Sequence, residues 1–431
     1  MIVVTLFASL AICLALTIPI AISLGISTVM AGFVASGMLG MQMLNMLAQT
    51  TITGSDSTSL LAMPFFMLVG TLMDQSGIAK KLINVAEAIV GEVSGGLATA
   101  TIVAAMLFAA ISGSGPAVVS ALGGILIPAM VHRGYSNEYA AATVASAATI
   151  GPVIPPSIPM IVYAVVAGSS VTALFLGGVV PGIIMGLSLI SVNYYISKKR
   201  GYHGVPRGGG FFWILKKIKE GILAIIMPVI VLGSIYAGIA TPTESAVMGV
   251  MYTLVIGCFV FRSLDLKKIR IALVDAAMLS APVMFLLGGA SVFGRLLTLE
   301  HIPQMLAQLM LGMSDNRYLI LVLIMLFLLV TGCFIDTTSN IVLFAPLFCP
   351  IITQLGYSLV YFGVLMTINL CIGFLTPPLG MNLFVAKNIS GAPLGGIVKE
   401  NMAYLIVLIV VLFICVICPP IITWLPSVVG N

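Results

Sequence analysis

A six-residue stretch occurs twice in this chain, each time inside an apolar run long enough to cross a membrane. It is Gly151-Pro-Val-Ile-Pro-Pro156 first and Gly373-Phe-Leu-Thr-Pro-Pro378 second, 222 residues on. The offset holds upstream without a gap. Pro128 falls on Pro350, Gly134-Tyr135-Ser136 on Gly356-Tyr357-Ser358, Tyr139 on Tyr361 and Ile150 on Ile372. A Pro-Pro pair removes two amide donors and breaks a helix. Broken backbone at membrane depth survives only when buried in protein or lining a wet cavity. Two breaks at matched positions of two half-repeats point to the binding site of a secondary transporter.

The chain is 60% hydrophobic and 7% charged, which makes it a polytopic membrane protein with no room for a soluble domain. Its longest polar stretch, Ser197 to Glu220, is a basic loop with Lys198, Lys199, Arg200, Arg207, Lys216, Lys217 and Lys219. The seven cysteines lie in apolar runs and are packing residues; Cys415-x-x-Cys418 is part of the last apolar helix. The net charge of +5 comes from residues in connections, so it marks topology and not nucleic-acid binding. The first segment, Ile2–Ile22, has no basic leader and is expected to be a retained helix.

Taken in order, Ile2–Ile22, Gly25–Leu47 and Ser59–Met73 are apolar spans, with polar Gln49–Thr58 outside. Residues 77–93 carry Ile78, Leu82, Val85 and Ile89 on one helical face and Lys80, Lys81, Asn84 and Glu87 opposite, an interfacial arm. A hairpin over 97–130 follows. It has two pieces of about 15 residues, short of a spanning length of about 20, joined at Ser112-Gly-Ser-Gly-Pro116. A broken helix covers 137–167. Spans at Leu174–Ile196, Ile222–Ile239, Ser245–Phe261 and Ala276–Val292 lead to a second arm at 302–310, a second hairpin over 319–352 with Asp336-Thr-Thr-Ser-Asn340 at its tip, and a second broken helix over 357–389. Met402–Trp424 closes the chain. The expected units are 1–93, first-repeat scaffold and arm; 94–170, first-repeat hairpin and broken helix; 171–315, linking and second-repeat scaffold helices and arm; 316–390, second-repeat hairpin and broken helix; and 391–431, a C-terminal helix.

Five crossings separate the two arms, and an odd number puts the hairpins on opposite membrane faces: the repeats are inverted. With both termini outside, all 18 Lys and Arg residues except Arg295 and Arg317 fall on the cytoplasmic side, as the positive-inside rule requires. The expected fold is an all-α polytopic membrane protein of two inverted-topology repeats. Each has an interfacial arm helix, a re-entrant hairpin and a broken transmembrane helix.

Each break leaves free carbonyls on an ending half-helix and free amides on a starting one. The amide ends attract an anion and the carbonyl ends a cation. Pro116, Pro156 and Pro378 are expected at or near the first positions of three starting halves, where proline costs least. Asp336 is expected to cap the fourth. Ser112, Ser114, Thr337, Thr338, Ser339, Asn340 and Thr376 supply hard neutral oxygens suited to Na⁺. A lone Ser or Thr in a membrane helix is ordinarily a packing residue; the repeat and the breaks set these apart. Asp336 is an acid near membrane depth, hence a functional candidate beside its capping role. Arg295 on the outer face either binds an anion or anchors its helix at the interface. His132 and His301 sit at helix ends. No metal spacing, phosphate loop or nucleotide motif appears.

Several stretches together resemble the large membrane subunit of tripartite ATP-independent periplasmic (TRAP) transporters, the DctM-type family. They are Pro64-Phe-Phe-Met-Leu-Val-Gly70, Ser112-Gly-Ser-Gly-Pro-Ala117, the two Gly-x-x-x-Pro-Pro breaks and Thr241-Pro-Thr-Glu-Ser245, and the resemblance runs the whole length. It implies an elevator-type transporter of the ion-transporter superfamily, multi-pass in the bacterial inner membrane. It implies import of a small organic acid anion such as a C4-dicarboxylate or sialic acid, coupled to Na⁺ and with no other cofactor. It also implies a small four-helix membrane subunit and a periplasmic substrate-binding protein as partners, beside the lipid bilayer. Carried over, one sodium site uses Ser112 with backbone at Gly151, Ile154 and Pro156. The other uses Gly332, Gly373, Thr376 and Leu379. Substrate lies between the tips near Ser114, Gly115, Asp336, Thr337 and Thr338, with Arg295 also a candidate. Ile154 stands where its repeat mate is Thr376, so the first site leans on backbone oxygens. With no extra N-terminal helices, the small subunit is expected as a separate polypeptide. An ion or anion channel is the first alternative. An intramembrane protease is the second, and it lacks a paired acid or a base near Ser112 or Ser114.

Overall fold

The computed structural model describes residues 2–36, 41–204, 210–314 and 316–429. Its described residues form helices and connections, with no strand among them. The first group is α1 (Ile2–Ala15), α2 (Ile20–Ser36), α3 (Met41–Ser55), α4 (Thr58–Gln75) and the arm α5 (Ile78–Val90). The first hairpin is α6 (Gly96–Ser112) and α7 (Gly115–His132), and the first broken helix is α8 (Asn137–Ala148) and α9 (Ile158–Ala167). Then come α10 (Val171–Arg200), α11 (Gly210–Tyr236), α12 (Pro242–Val255) with a π-helical extension (Ile256–Val260), α13 (Leu266–Leu299) and the second arm α14 (Ile302–Met313). The second hairpin is α15 (Arg317–Gly332) and α16 (Thr337–Gln354), and the second broken helix is α17 (Leu359–Gly373) and α18 (Met381–Ser390). The chain ends in α19 (Leu394–Ile417) and α20 (Pro420–Val429). Seven helices, counting α12 with its extension, are long and apolar enough among the described residues to cross a membrane.

The repeated residues have local jobs. Gly134 and Gly356 take φ of 85° and 81°, left-handed values that glycine holds at no steric cost. Ser136 and Ser358 cap α8 and α17, accepting from the Tyr139 and Tyr361 amides. Tyr139 and Tyr361 are among the largest fully buried side chains. The matched Gly-Tyr-Ser and Tyr therefore set the start and the burial of the two halves before the breaks.

Several expectations change. Gln49–Thr58 is not a bare polar connection: α3 runs through Ser55, and its end meets α4 at a bend of 57°. The span expected over Ile2–Ile22 is interrupted at 16–19, between α1 and α2, and the one expected over Gly25–Leu47 is divided between α2 and α3, with 37–40 outside the described residues. The hairpin pieces are 17, 18, 16 and 18 residues, longer than the 15 or so expected in the first hairpin and than 319–331 and 341–352 in the second, because polar end residues such as Ser112, His132, Arg317 and Thr337–Asn340 join the helices. An 18-residue helix rises about 27 Å, close to the hydrocarbon thickness of about 30 Å. The C-terminal segment is two helices, parted at Cys418-Pro419-Pro420, where paired prolines end α19. The basic stretch Ser197–Glu220, expected as a loop, is largely helical: α10 runs through Arg200 and α11 starts at Gly210, with Arg207 outside the described residues.

The arms match in outline. Both begin at a left-handed residue, Gly77 at φ 71° and His301 at φ 52°. On α5, Ile78, Leu82 and Val85 are buried as expected, but Ile89 is exposed and Ala86 takes the inward place. On α14, Ile302 and Ala307 are buried while Met305 and Leu309 face outward.

Two packing groups emerge. α4 packs on α12 and α13, and α13 on α2 and α3. Each helix of the α4–α13 pair carries a proline of two similar heptads, Pro64 and Pro282, and the Thr71 hydroxyl of α4 donates to the Ala272 carbonyl of α13 at 3.0 Å. In the second group the repeats interlock. Hairpin one packs against α8 and also α18, the last half-helix of the other repeat; hairpin two packs against α17 and also α9. Gly363 on α17 leaves room for the Tyr163 ring of α9, whose hydroxyl donates to the Leu359 carbonyl at 2.9 Å.

Candidate functional site

The tip of hairpin one is a two-residue turn. Gly113 at φ 59° ends α6, and extended Ser114 precedes α7. The turn sits directly on the first break. A Cβ on Gly113 would lie 2.6 Å from the Pro156 carbonyl oxygen, and one on Gly151 would lie 3.2 Å from Ser114 C. The tip thus touches both ends of the Gly151–Pro156 stretch. Ser112, Gly151 and Pro156 are brought together, as expected. Among the described residues, no backbone amide donates to the Gly151, Ile154 or Pro156 carbonyls. Ser112 Oγ is buried without a hydrogen-bond partner. An unsatisfied buried hydroxyl among free carbonyls costs free energy unless a donor or cation fills the space. The Ile154 side chain points away, onto Gly182 of α10.

The second tip is built differently. Asp336 caps α16, its carboxylate accepting from the Ser339 amide at 3.0 Å and the Ser339 hydroxyl at 2.5 Å. Asn340 folds back and donates to the Ile335 carbonyl at 2.8 Å, while its Oδ1 stays buried and unpartnered. Gly332 meets Gly373 backbone to backbone. Thr376 donates to the Ile372 carbonyl at 3.0 Å and is half-buried, not buried as its place in the break led us to expect. Leu379 and both prolines of this break are exposed, whereas Pro155 and Pro156 are buried. Gly373 also differs from Gly151, because its carbonyl accepts from the Thr376 amide at 3.0 Å. Thr337 is buried and Thr338 half-buried at the start of α16. Both Pro-Pro peptide bonds are cis.

Prolines do not open α9 and α18. Ser157 caps α9, with Pro159 in its first turn, and Gly380 precedes α18. Pro156 and Pro378 lie within the breaks, because the cap after each Pro-Pro pair delays the helix by one or two residues. Pro116 is in the first turn of α7, as expected.

Amides joining the halves are what the sequence did not single out. Asn382 on α18 donates to the Ala145 carbonyl of α8 at 3.2 Å, packs on Gly115 at the start of α7, and keeps a buried, unpartnered Oδ1. Asn401 on α19 accepts from Ser146 at 2.7 Å and donates to the Leu375 carbonyl at 3.0 Å, spanning both broken helices. Asn193 on α10 accepts from Tyr139 at 2.6 Å and donates to Thr99 at 2.7 Å. An Asn inside an apolar helix is itself the signal, since such a polar group seeks a partner across helices. Arg295 makes no hydrogen bond or ion pair with either tip among the described residues; it lines a cavity between α13, α3, α9 and α16.

The comparisons agree with this arrangement. The family model described as "Tripartite ATP-independent periplasmic transporter, DctM component" matches residues 7–421. An isethionate TRAP transporter permease protein of Oleidesulfovibrio alaskensis is 42% identical over 96% of this chain, which spans 65% of that relative's length. A C4-dicarboxylate TRAP transporter large permease protein of Pseudomonas aeruginosa is 38% identical over 87% of this chain and 88% of its own. A sialic acid TRAP transporter large permease protein of Vibrio cholerae is 36% identical over 89% of this chain and 90% of its own. These relatives are named as permeases, not enzymes. The solved YdaH transporter of Alcanivorax borkumensis superposes with a TM-score of 0.62 at 15% identity, covering 88% of this chain and 89% of its own, which is a likeness of fold. With two hairpins seated on two broken helices and a family model matched almost end to end, the chain belongs to the DctM family, the large permease component of TRAP transporters.

Proposed function

We propose that this chain is the Na⁺-coupled permease subunit that imports a small organic acid anion handed over by a periplasmic binding protein. The observation that carries this reading is the first break. It offers three free carbonyls at Gly151, Ile154 and Pro156 beside the unpartnered Ser112 hydroxyl. That set of hard oxygens suits Na⁺ and leaves the ion weakly enough held to be released. Gly332, Gly373, Thr376 and Leu379 form the second sodium site in this reading. Ser114, Gly115, Asp336, Thr337 and Thr338 frame the anion between the tips. The relatives' names supply the substrate class: C4-dicarboxylates, sialic acid or isethionate. The interlocked hairpins and broken helices move as one body against α4, α12 and α13, an elevator. A small membrane subunit covers exposed apolar surface of the first packing group, and both termini of the described chain lie in the periplasm of an inner-membrane protein.

The test is uptake into proteoliposomes. We expect none from this chain alone, and Na⁺-dependent uptake of a labelled anion once the small subunit and the loaded binding protein are added. Saturable uptake by the lone chain, or uptake indifferent to Na⁺, overturns the reading. Flux that never saturates favours a channel.

A further inference from the structure

Arg295 takes no part in the tips, yet its surroundings form a site. It lines a cavity of about 320 Å³ with Thr50, Val165, Val166, Leu287, Ser291, Thr298 and Pro346 among its walls. Small-molecule sites begin at about 300 Å³. α3 and α13, of the first packing group, form one wall; α9 and α16, of the second, form the other. Arg295 is the one charged residue lining it, is exposed, and has no acidic, aromatic or carbonyl partner among the described residues. A guanidinium presents up to five donors in a fork that fits a carboxylate or sulfonate. The Thr50 hydroxyl, also unbonded among the described residues, adds a donor. The other two hydroxyls have already given up their hydrogens. Ser291 donates to the Leu287 carbonyl at 2.8 Å and Thr298 to the Gly294 carbonyl at 2.9 Å. Their oxygens are left as acceptors.

We propose that this cavity is a second anion site, a vestibule that the substrate occupies before it reaches the hairpin tips. It takes a small organic anion that also carries a hydroxyl. The acid group lies against Arg295 and Thr50, the hydroxyl donates to Ser291 or Thr298, and the short carbon skeleton lies on Val165, Val166, Leu287 and Pro346. Because its walls come from both packing groups, the site changes shape whenever one group moves against the other. It fills in one position and empties in the next. The inference rests on the transport reading, on the orientation that places the end of α13 outside, and on no sodium ligand.

Occupancy is read without transport. Gly294, which lines the cavity and has open space for a side chain, is replaced by Cys in a chain whose Cys258 and Cys418 are Ser, and the modification rate by an impermeant maleimide is measured on purified protein. The probes are isethionate, with a hydroxyl, and ethanesulfonate, without one, against chloride at equal ionic strength. We expect isethionate to slow labelling in a saturable way, ethanesulfonate to do so about tenfold more weakly, and Arg295→Gln to abolish both effects. Arg295→Lys should retain part of the protection, since it keeps the charge and loses the fork. Equal labelling in all three salts overturns the site, and so does protection that survives Arg295→Gln. In proteoliposomes with the full complex, Arg295→Gln should raise the KM for uptake, leaving the Na⁺ dependence and the affinity for the binding protein unchanged. A parallel loss of binding-protein affinity makes Arg295 a docking contact and also overturns the proposal. If the unaltered complex takes up no anion, the transport reading fails. If it does and Arg295→Gln matches it, only the vestibule fails.

Discussion

Gly332 and Gly373 meet with no space between them: a Cβ on Gly373 would stand 2.6 Å from both the carbonyl carbon and the oxygen of Gly332. Here hairpin two meets the second broken helix backbone to backbone, beside the Asn369 amide that donates to the Met325 carbonyl at 2.6 Å, and a methyl group at Gly373 forces a local shift. Gly373→Ala should cost on the order of 1–3 kcal/mol, the usual penalty for overpacking, and should weaken the Na⁺ dependence of uptake. Gly124→Ala, where nothing lies within 4 Å of the new methyl, should instead be neutral or slightly stabilising. Thermal denaturation of the two variants in detergent checks this. Equal melting temperatures contradict the close contact.

Thr376 is the one side-chain oxygen within either break proposed to hold Na⁺. Its hydroxyl hydrogen goes to the Ile372 carbonyl, which leaves the oxygen's lone pairs for a cation. Thr376→Val keeps the shape and removes that oxygen. The loss, about 1–3 kcal/mol for one missing polar contact, corresponds to about tenfold to hundredfold weaker apparent Na⁺ affinity. Ile154→Val keeps the backbone carbonyl and should change little. Uptake rate against Na⁺ concentration at saturating substrate separates the two, and an unshifted curve for Thr376→Val removes Thr376 from the site.

Topology is open to direct chemistry. Lys199 ends α10 and is exposed; Thr53 lies near the end of α3 and is exposed. Cysteine at Lys199 should react with an impermeant reagent only from the cytoplasm, and cysteine at Thr53 only from outside. The opposite pattern reverses the orientation of both hairpins.

Asn193 holds together Tyr139, Thr99 and, through Tyr139, the Tyr404 hydroxyl 3.0 Å beyond it. Asn193→Leu strands those buried groups and should cost about 2–4 kcal/mol. Lys217→Gln breaks an exposed pair with Glu220 and should stay within about 0.5 kcal/mol. Retention of the folded fraction on heating, followed by gel filtration in detergent, measures both. A stable Asn193→Leu chain would show that the network adds nothing.

The repeat was legible because its residues act locally. Gly134, Ser136 and Tyr139 set a turn, a cap and a buried ring, and Gly356, Ser358 and Tyr361 do the same 222 residues later. The breaks were legible for the same reason, since Pro-Pro stops a helix wherever it stands. Distant partners were not. Nothing in the spacing of Asn382 or Asn401 tells which helix will offer them a carbonyl, and the half-exposed setting of Thr376 depends on what fails to cover it. Asp336 was legible as a cap, and that role is visible in its bonds to Ser339.

The interlocking of each hairpin with the last half-helix of the opposite repeat has a consequence for synthesis. Hairpin one and α8 emerge from the ribosome early, but their packing partner α18 comes only after a further 250 residues or so. Asn137 must wait for the Ser390 carbonyl, 253 positions later. Closing such long loops is slow, and surfaces exposed meanwhile invite wrong contacts. In the first half α5, α6, α7 and α8 can already pack on one another, but the faces of α7 and α8 that α18 covers stay open until the second half arrives. Either half alone would leave uncovered the face on which the other half's last half-helix packs.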